Sequence, residues 1–319
     1  MSDRANIPGA KPLTNNAITE SNRVGLLLIG IGGMVLSFDI PMIRLSQSDY
    51  WSVLFLRSLL ISGAAAGYWA FRRYVQGHET KLIDGWKGLF VTLCYAVGVT
   101  SFLFSVFNTT AANTVFILAF NSVFAAILSW ILFGERPSRT TMVVIPITIG
   151  GVCLIIGSGL ETGNWTGDLA ALNAAFFIAL ALVVSRGSRR DMRYAAALGS
   201  ILPALVALPI VMAQGFQSEA PIWLVLNGGV VVPIALICLA AGPMFVPAPL
   251  VSLGYLLETV FAPIWVWLVF DERPATLAFA GGGVILAALA VQTLAELRPA
   301  AKGRPDAAEP TGTGPARRR

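Results

Sequence analysis

An internal repeat is the sequence feature that most constrains the fold of this chain. The segment 121–137 reads NSVFAAILSWILFGERP, and 137 positions later the segment 258–274 reads ETVFAPIWVWLVFDERP. Nine of the seventeen aligned positions are identical, and each copy ends one apolar stretch just before another begins. A repeat at a fixed offset indicates that the chain contains two copies of one structural unit.

The low charge content of the chain indicates its environment. Charged residues make up 12% and hydrophobic residues 56% of the 319 residues, and the mean hydropathy is +0.73. A soluble domain carries about 25% charged residues, so this chain has too few to cover a surface that faces water. The composition therefore predicts an integral membrane protein. Long apolar runs, without the short alternating segments of a β-barrel, predict an all-α protein.

Ten apolar stretches are long enough to cross a bilayer as helices, which takes about 17–25 residues each. The first copy supplies 24–42, 51–71, 88–107, 111–133 and 141–159, and the second supplies 168–187, 194–213, 222–242, 247–270 and 276–296. Only the polar patch 108–110 separates the third stretch from the fourth. Nine spans is therefore the competing count.

The distribution of positive charge favours ten spans. With ten spans and the N-terminus inside, all but three of the 22 Lys and Arg residues fall on the inner side or in the tails. Nine spans would place the cluster Arg186–Arg193 outside. The positive-inside rule therefore predicts ten spans with both termini cytoplasmic. Because five spans is an odd number, the second five-helix repeat is inverted relative to the first, an arrangement typical of secondary transporters.

These boundaries divide the chain into four parts. We predict an N-terminal tail at 1–22, a first five-helix repeat at 23–159, a second at 160–297 and a basic C-terminal tail at 298–319. Both tails are expected to be disordered, because neither carries enough apolar surface to bury a core. No extramembrane domain is predicted, so the function is expected within the bilayer. The expected location is the plasma membrane, in a bacterium the inner membrane.

The sequence points to few partners and to no cofactor. The basic pI, about 9.4, follows from the charge on the inner side and gives no argument for nucleic acid. Cys94, Cys153 and Cys238 stand alone in apolar spans without ligand spacing, so no metal site is predicted. The lipid bilayer and a small-molecule substrate are the expected partners. Whether the protein is a monomer or a dimer is left open.

Small residues at helical spacing recur in three spans. Gly63 and Gly67 form a GxxxG pattern in the second span, and glycines also cluster in the first and last spans, at 30–33 and 281–283. Small side chains let helices approach closely in a membrane. We expect these positions to mediate packing within the chain rather than dimerisation.

The ends of the two repeats resemble a known family. Phe-Gly-Glu-Arg-Pro at 133–137 and Phe-Asp-Glu-Arg-Pro at 270–274 each precede a short turn and a final apolar helix. This pattern is similar to the EamA repeat of the drug/metabolite transporter superfamily, and the similarity extends over 24–296. Gly-Asp-Leu at 167–169 and Glu-Thr-Val-Phe-Ala at 258–262 also resemble family motifs, although Thr259 stands where the family often has proline. Arg57 occupies a position where the family often has arginine.

The resemblance implies a ten-span transporter built from two five-span units. It implies alternating-access transport of small metabolites or drugs, often the export of amino acids or related compounds. It does not identify the substrate, because members of the family differ widely.

Glu258 is the leading candidate for chemistry inside the membrane, where a charge costs a few kcal/mol. It precedes Glu272 by 14 residues, roughly 21 Å of helix, which places it near the middle of the bilayer or in its inner half. Its counterpart in the first repeat is Asn121, and transporters commonly build sites where the repeats meet. Glu258 is interpreted as a proton-coupling carboxylate, a ligand for a cationic substrate group, or a structural carboxylate. The polar or amphipathic residues that could line a cavity are Tyr95, Tyr255, Asn108, Asn113, Asn173 and Asn227.

Asp39 and Arg57 are the other charged residues inside predicted spans. Asp39 lies late in the first span, which runs outward, and Arg57 lies early in the second, which runs inward. Both therefore fall in the outer half of the membrane. We predict an ion pair with a structural or gating role, because an isolated charge there would be costly.

The repeated motif also places a carboxylate at each face of the membrane. Glu135 ends the fourth span at the inner face, and Glu272 ends the ninth at the outer face. Both are predicted to be interfacial, with Arg136 and Arg273 as their candidate partners.

These features predict a secondary transporter that acts as an exporter. A channel and a membrane enzyme are the two alternative classes. A channel would need a polar or charged ring, usually built from several subunits. A membrane enzyme would need a recognisable catalytic constellation, but the sole histidine, His78, is in a predicted loop. The sequence contains no zinc motif and no glycine-rich phosphate loop. We therefore predict a gradient-driven protein that is not an enzyme.

Overall fold

The computed structural model describes residues 15–75, 85–188, 194–241 and 248–297. These residues are mostly helical, and they contain no β-strand beyond one isolated bridge. The first half contains α1 (Asn15–Leu36), α2 (Asp39–Leu45), α3 (Tyr50–Tyr74), α4 (Gly85–Asn108), α5 (Ala111–Leu118), α6 (Asn121–Phe133) and α7 (Arg139–Thr162). The second half contains α8 (Trp165–Ser188), α9 (Ala195–Gly199), α10 (Ile201–Gln214), α11 (Ile222–Leu226), α12 (Val232–Ala241), α13 (Ala248–Phe270) and α14 (Thr276–Leu297). The predicted all-α class is confirmed over these residues.

The helices are those of a multi-pass membrane protein. Within the described residues, nine helical stretches are long and apolar enough to cross a membrane, and a shorter apolar helix, Gly254–Phe270, lies within α13. The third and fourth predicted spans are separate helices here, because Thr110 caps α5 by accepting a hydrogen bond from the Asn113 main-chain N–H at 3.1 Å. The count of ten and the side of each terminus stay predictions. α1 begins at Asn15, inside the segment 1–22 that we predicted as a tail.

The two halves pack in a reciprocal pattern. The most extensively packed pairs include α4 with α8, α1 with α12, α6 with α8, α1 with α13, α3 with α10, and α7 with α14. Exchanging each helix for its counterpart in the other half turns α4–α8 into α12–α1 and α6–α8 into α13–α1. In the pairs α3–α10 and α7–α14 the two helices are each other's counterparts, so the exchange leaves these pairs unchanged. This pattern agrees with two copies of one unit.

Several membrane-crossing segments are discontinuous. Residues 37–38 interrupt the first segment between α1 and α2, and residues 119–120 interrupt the fourth between α5 and α6. A π-helical turn, Asn227–Val231, separates α11 from α12. The first two breaks place Asp39 and Asn121 at the first residues of α2 and α6, where a helix N-terminus carries a partial positive charge.

Glycine allows close contact between α1 and α13. A methyl group on Gly33 would fall on the main-chain carbonyl of Gly254. Gly281 makes a similar approach to the backbone of Gly151, which joins α14 to α7. Packing within the chain is therefore confirmed for the first and last spans.

The GxxxG pattern of the second span behaves differently. Among the described residues, no atom of another helix lies within 4 Å of a methyl group built on Gly63 or Gly67, and both residues are exposed on α3. The expectation that this pair packs within the chain was wrong. The spacing of small residues marks one face of a helix but does not reveal which neighbour, if any, covers that face.

We expect Gly33→Ala to lower the melting temperature of the purified protein by several degrees, because forcing a methyl group against backbone costs about 1–3 kcal/mol. Gly30→Ala is the matched control. It lies one turn away in α1 with nothing within 4 Å, and it carries the same gain in helix propensity. Equal melting temperatures for the two variants would contradict the predicted contact.

Candidate functional site

Asp39 and Arg57 form an ion pair in the interior of the helix bundle. Arg57 Nη2 lies 2.7 Å from Asp39 Oδ2, and Arg57 Nε lies 3.3 Å from Asp39 Oδ1. Each residue is only 4% exposed. The guanidinium also lies over the ring of Phe102, 5.8 Å from its centroid. The structure therefore brings together the two charged residues that the sequence places in the same half of the membrane.

Asn227 completes this network, whereas the sequence identified it only as one of several polar residues that could line a cavity. Its Nδ2 donates to Asp39 Oδ1 at 2.8 Å and to the Asp39 main-chain oxygen at 3.1 Å, while its Oδ1 accepts from Arg57 Nε at 3.0 Å. The π-helical turn and Gly228 permit this contact, because a side chain at 228 would meet the backbone of Arg57. The sequence signal was an asparagine followed by two glycines inside an apolar span.

Glu258 lies next to the network without joining it. Its carboxyl group interacts electrostatically with Asp39 and Arg57. Among the described residues it forms no hydrogen bond or ion pair. Because Asp39 already neutralises Arg57, an ionised Glu258 gives this cluster one net negative charge.

The break in the first segment brings Asp39 close to α13. The indole N–H of Trp265 donates to Ser37 Oγ at 3.0 Å. The ring of Phe38 stacks on Trp265 with centroids 5.3 Å apart. Trp265 lies seven residues after Glu258, about two helical turns away on a similar face of α13. These contacts hold the end of α1 and the start of α2 against the helix that carries Glu258.

Tyr255 lies three residues before Glu258 on α13 and is 46% exposed, and Tyr95 belongs to α4. Among the described residues neither tyrosine hydroxyl forms a hydrogen bond with Glu258. That these three side chains line one cavity stays a prediction.

Asn121 begins a helix whose packing partners differ from those of α13. It is the first residue of α6, which packs mainly on α8, whereas α13 packs on α1, α2, α5 and α14. That Asn121 and Glu258 contribute to one site stays a prediction. Repeat symmetry relates their positions in the chain.

The interfacial glutamates have partners other than the adjacent arginines. Glu135 pairs with Arg186 at 3.3 Å, and both side chains are more than half exposed. Glu272 lies 3.6 Å from Arg44 and accepts a hydrogen bond from the Ala111 main-chain N–H at 2.7 Å.

The candidate pairings with Arg136 and Arg273 were therefore wrong. Arg136 is exposed, and Arg273 pairs with Asp271 at 3.4 Å. In each case the partner of the glutamate comes from another helix that ends at the same level of the bundle.

Part of the chain matches a known family in sequence, and most of it matches a solved structure in fold. Residues 23–157 match the sequence model of the EamA-like transporter family. A protein of known crystal structure is similar with a TM-score of 0.60 and 17% sequence identity, over 88% of this chain and 99% of its own. At that identity the likeness shows the fold alone. No curated protein matches the sequence.

Proposed function

We propose that this protein, whose residues 23–157 match the EamA-like transporter family, is a secondary transporter for a small metabolite. It works by alternating access in the plasma membrane, with ten spans in two inverted repeats and both termini in the cytoplasm. The substrate is an amino acid, a related compound or a drug-like molecule, and the direction is export.

The single observation that carries this proposal is Glu258 itself, a carboxylate in a predicted membrane span that has no hydrogen bond or ion pair among the described residues. A carboxylate inside a membrane segment is costly unless it is paired or has access to water. The neighbouring Asp39–Arg57 pair is satisfied by Asn227, so Glu258 is available to a ligand. A proton and a cationic substrate group both fit a site with net negative charge. The exposed ring of Tyr255 gives this site an apolar wall.

The discontinuous helices support the same proposal. Transporters commonly place their sites at broken helices near the middle of the bilayer, where the freed backbone lines a cavity. Here the break at 37–38 adjoins Asp39, and the π-helical turn begins at Asn227.

The two interfacial ion pairs fit the roles of gates. Arg44–Glu272 joins the end of α2 to the loop after α13, and Arg186–Glu135 joins α8 to the loop after α6. The two pairs are thus equivalent under exchange of the repeats. In alternating access one pair closes while the other opens.

A thermal-shift screen of the purified protein followed by a flux assay tests this function. Amino acids, nucleosides, polyamines and sugar phosphates are the compounds to screen. A ligand present at 100 times its Kd stabilises the folded state by about 2.7 kcal/mol, which raises the melting temperature. In proteoliposomes a hit should show saturable uptake that is accelerated by the same compound on the opposite side. Uptake that neither saturates nor accelerates would contradict a transporter and favour a channel.

A further inference from the structure

A second buried carboxylate lies outside the network of Asp39, Arg57 and Asn227. Asp168, in the first turn of α8, has no exposed surface. Its Oδ1 accepts hydrogen bonds from Thr109 Oγ1 at 2.6 Å and from Asn113 Nδ2 at 3.0 Å. Thr109 and Asn113 are 6% and 3% exposed, so the whole cluster is buried.

Two oxygen atoms in this cluster are unpartnered. Asp168 Oδ2 and Asn113 Oδ1 are both buried, and neither has a hydrogen-bond partner among the described residues. Buried polar atoms are nearly always paired, so two orphaned oxygens on neighbouring side chains indicate that a hydrogen-bond donor or a cation belongs at this position. Both atoms are acceptors, and a donor or a cation is what they lack.

The charge of Asp168 is not neutralised by a neighbouring side chain. No ion pair within the described residues includes it. α8 packs on α4, α5, α6 and α7, and neither α5 nor α6 contains a titratable residue. The titratable residues of the others, besides Asp168, are Lys87, Cys94 and Tyr95 on α4, Arg139, Cys153 and Glu161 on α7, and Arg186 on α8.

The positively charged residues in this set are distant from Asp168. Lys87 and Arg139 begin α4 and α7, whereas the other ends of these helices contact Asp168, and Arg186 lies at the far end of α8. Glu161 is in the last turn of α7, and its side chain lies outside the described part of the structure. The N-terminus of α8 favours an anion, but its partial charge offsets only a small part of the cost of burying an unpaired carboxylate.

The space around Oδ2 fits a proton better than a metal ion. A methyl group on Gly159 would fall on Asp168 Oδ2, so the backbone of α7 closes one side of this oxygen. A hard cation requires six or more oxygen ligands, and this cluster offers two unpartnered oxygens. A proton needs only one oxygen to which it binds covalently and one further oxygen that accepts its hydrogen bond.

We propose that Asp168, Thr109 and Asn113 form a proton-binding site. The proton comes from water and binds to Oδ2, which converts the carboxylate into a neutral acid. A carboxylic acid and a primary amide form two hydrogen bonds in opposite directions, and the Nδ2–Oδ1 contact is already one of them. The new O–H donates to Asn113 Oδ1, so one proton satisfies both orphaned oxygens and removes the buried charge.

The site is connected to the Arg44–Glu272 pair through the turn between α4 and α5. Arg44 Nη2 donates to the main-chain oxygen of Thr109 at 3.1 Å, and the Ala111 N–H donates to Glu272. Asp168 holds the same turn from its other side. Gain or loss of the proton therefore acts on the contacts that close this end of the bundle. This link to gating rests on the proposed transport function, whereas the proton site itself does not.

Infrared difference spectroscopy of the full-length protein between neutral and alkaline pH tests the proton site. The wild-type protein is expected to show the carbonyl band of a protonated carboxyl group, and Asp168→Asn is expected to lose the contribution of one such group. Glu161→Gln and Glu258→Gln are matched controls that retain the Asp168 contribution. A spectrum of Asp168→Asn that equals the wild type would overturn the proposal.

Further variants keep the test decisive if Asp168→Asn folds poorly. Asn113→Leu removes the amide partner and should shift the frequency of the band, and an unshifted band would count against the site. Asp168→Asn should also keep a melting temperature close to that of the wild type, because its amide N–H can replace the acid O–H, whereas Asp168→Leu should lose stability.

A metal-ion site would give a different result. If replacing choline by sodium at constant ionic strength raises the melting temperature of the wild type and not of Asp168→Asn, the ligand is sodium and the proton is ruled out. The absence of flux for every compound would contradict the transport function and leave the infrared result standing.

Discussion

Glu258→Gln is expected to abolish coupled substrate flux in proteoliposomes while leaving the purified protein folded and monodisperse. Glu258 has no hydrogen bond or ion pair to lose among the described residues, so its neutralisation removes a ligand rather than a structural contact. A hydrogen bond to a charged group contributes about 1.5–3 kcal/mol, which corresponds to roughly a 10- to 100-fold loss of affinity for a cationic substrate.

The assay also separates the two roles open to Glu258. If it carries the coupling proton, the variant should still exchange substrate for substrate but should no longer respond to a pH gradient. If it binds a substrate amine, the variant should lose both exchange and the thermal shift. Glu219→Gln is the control, because it makes the same chemical change at an exposed carboxylate between α10 and α11. Wild-type flux in Glu258→Gln would remove the site from consideration.

Asp39→Asn and Arg57→Gln are each expected to destabilise the protein strongly. Each change leaves one buried charge without its partner, and breaking a buried pair costs about 3–5 kcal/mol. The expected result is a large fall in melting temperature for either variant. Arg186→Gln serves as the control, since it breaks an exposed pair of the kind that contributes about 0–1 kcal/mol.

The charge swap, Asp39→Arg with Arg57→Asp, is expected to recover part of the lost stability. The amide of Asn227 can rotate so that its oxygen faces the new arginine and its nitrogen faces the new aspartate. This rotation gives up the bond from Nδ2 to the main-chain oxygen of residue 39, so recovery is incomplete. A double-mutant cycle on melting curves measures the coupling. A swap no more stable than either single variant would contradict the ion pair.

Sequence reasoning identified Glu258 as the leading site candidate but gave Asn227 no specific role, for a physical reason. A carboxylate in an apolar span stands out because its cost is high in any arrangement of helices. An asparagine costs less, and its importance arises from the two charged groups it contacts, Asp39 and Arg57, which lie far from it in the chain.

The burial of Asp168 is a second feature that the sequence did not predict. In the sequence it is the first acidic residue of a span that begins with a common motif, a position that usually faces water. Its complete burial depends on how α8 packs against α4 and α7, and its unpartnered oxygen depends on the close approach of Gly159. Neither fact can be derived from local sequence.

In the interfacial motif, the repeated residues were predictable from the sequence, but the ion-pair partners of the two glutamates were not. The Glu-Arg-Pro ends of both copies were recognised from sequence, but the partners of Glu135 and Glu272 come from α8 and α2. Adjacent residues at a helix end point in different directions, so a neighbour in sequence is a poor guide to an ion pair.

By itself, the sequence determined a helical membrane protein with a duplicated unit and charged groups inside its spans. Hydropathy, charge asymmetry and self-similarity are properties of the chain in one dimension, and the bilayer makes them decisive because it permits few structures. Only the tertiary structure decided which of these groups meet. It placed Asn227 in contact with both Asp39 and Arg57, left Glu258 without a hydrogen bond or ion pair among the described residues, and buried Asp168. Those outcomes depend on distances between helices, and small residues such as Gly33 and Gly159 set these distances only against particular neighbours.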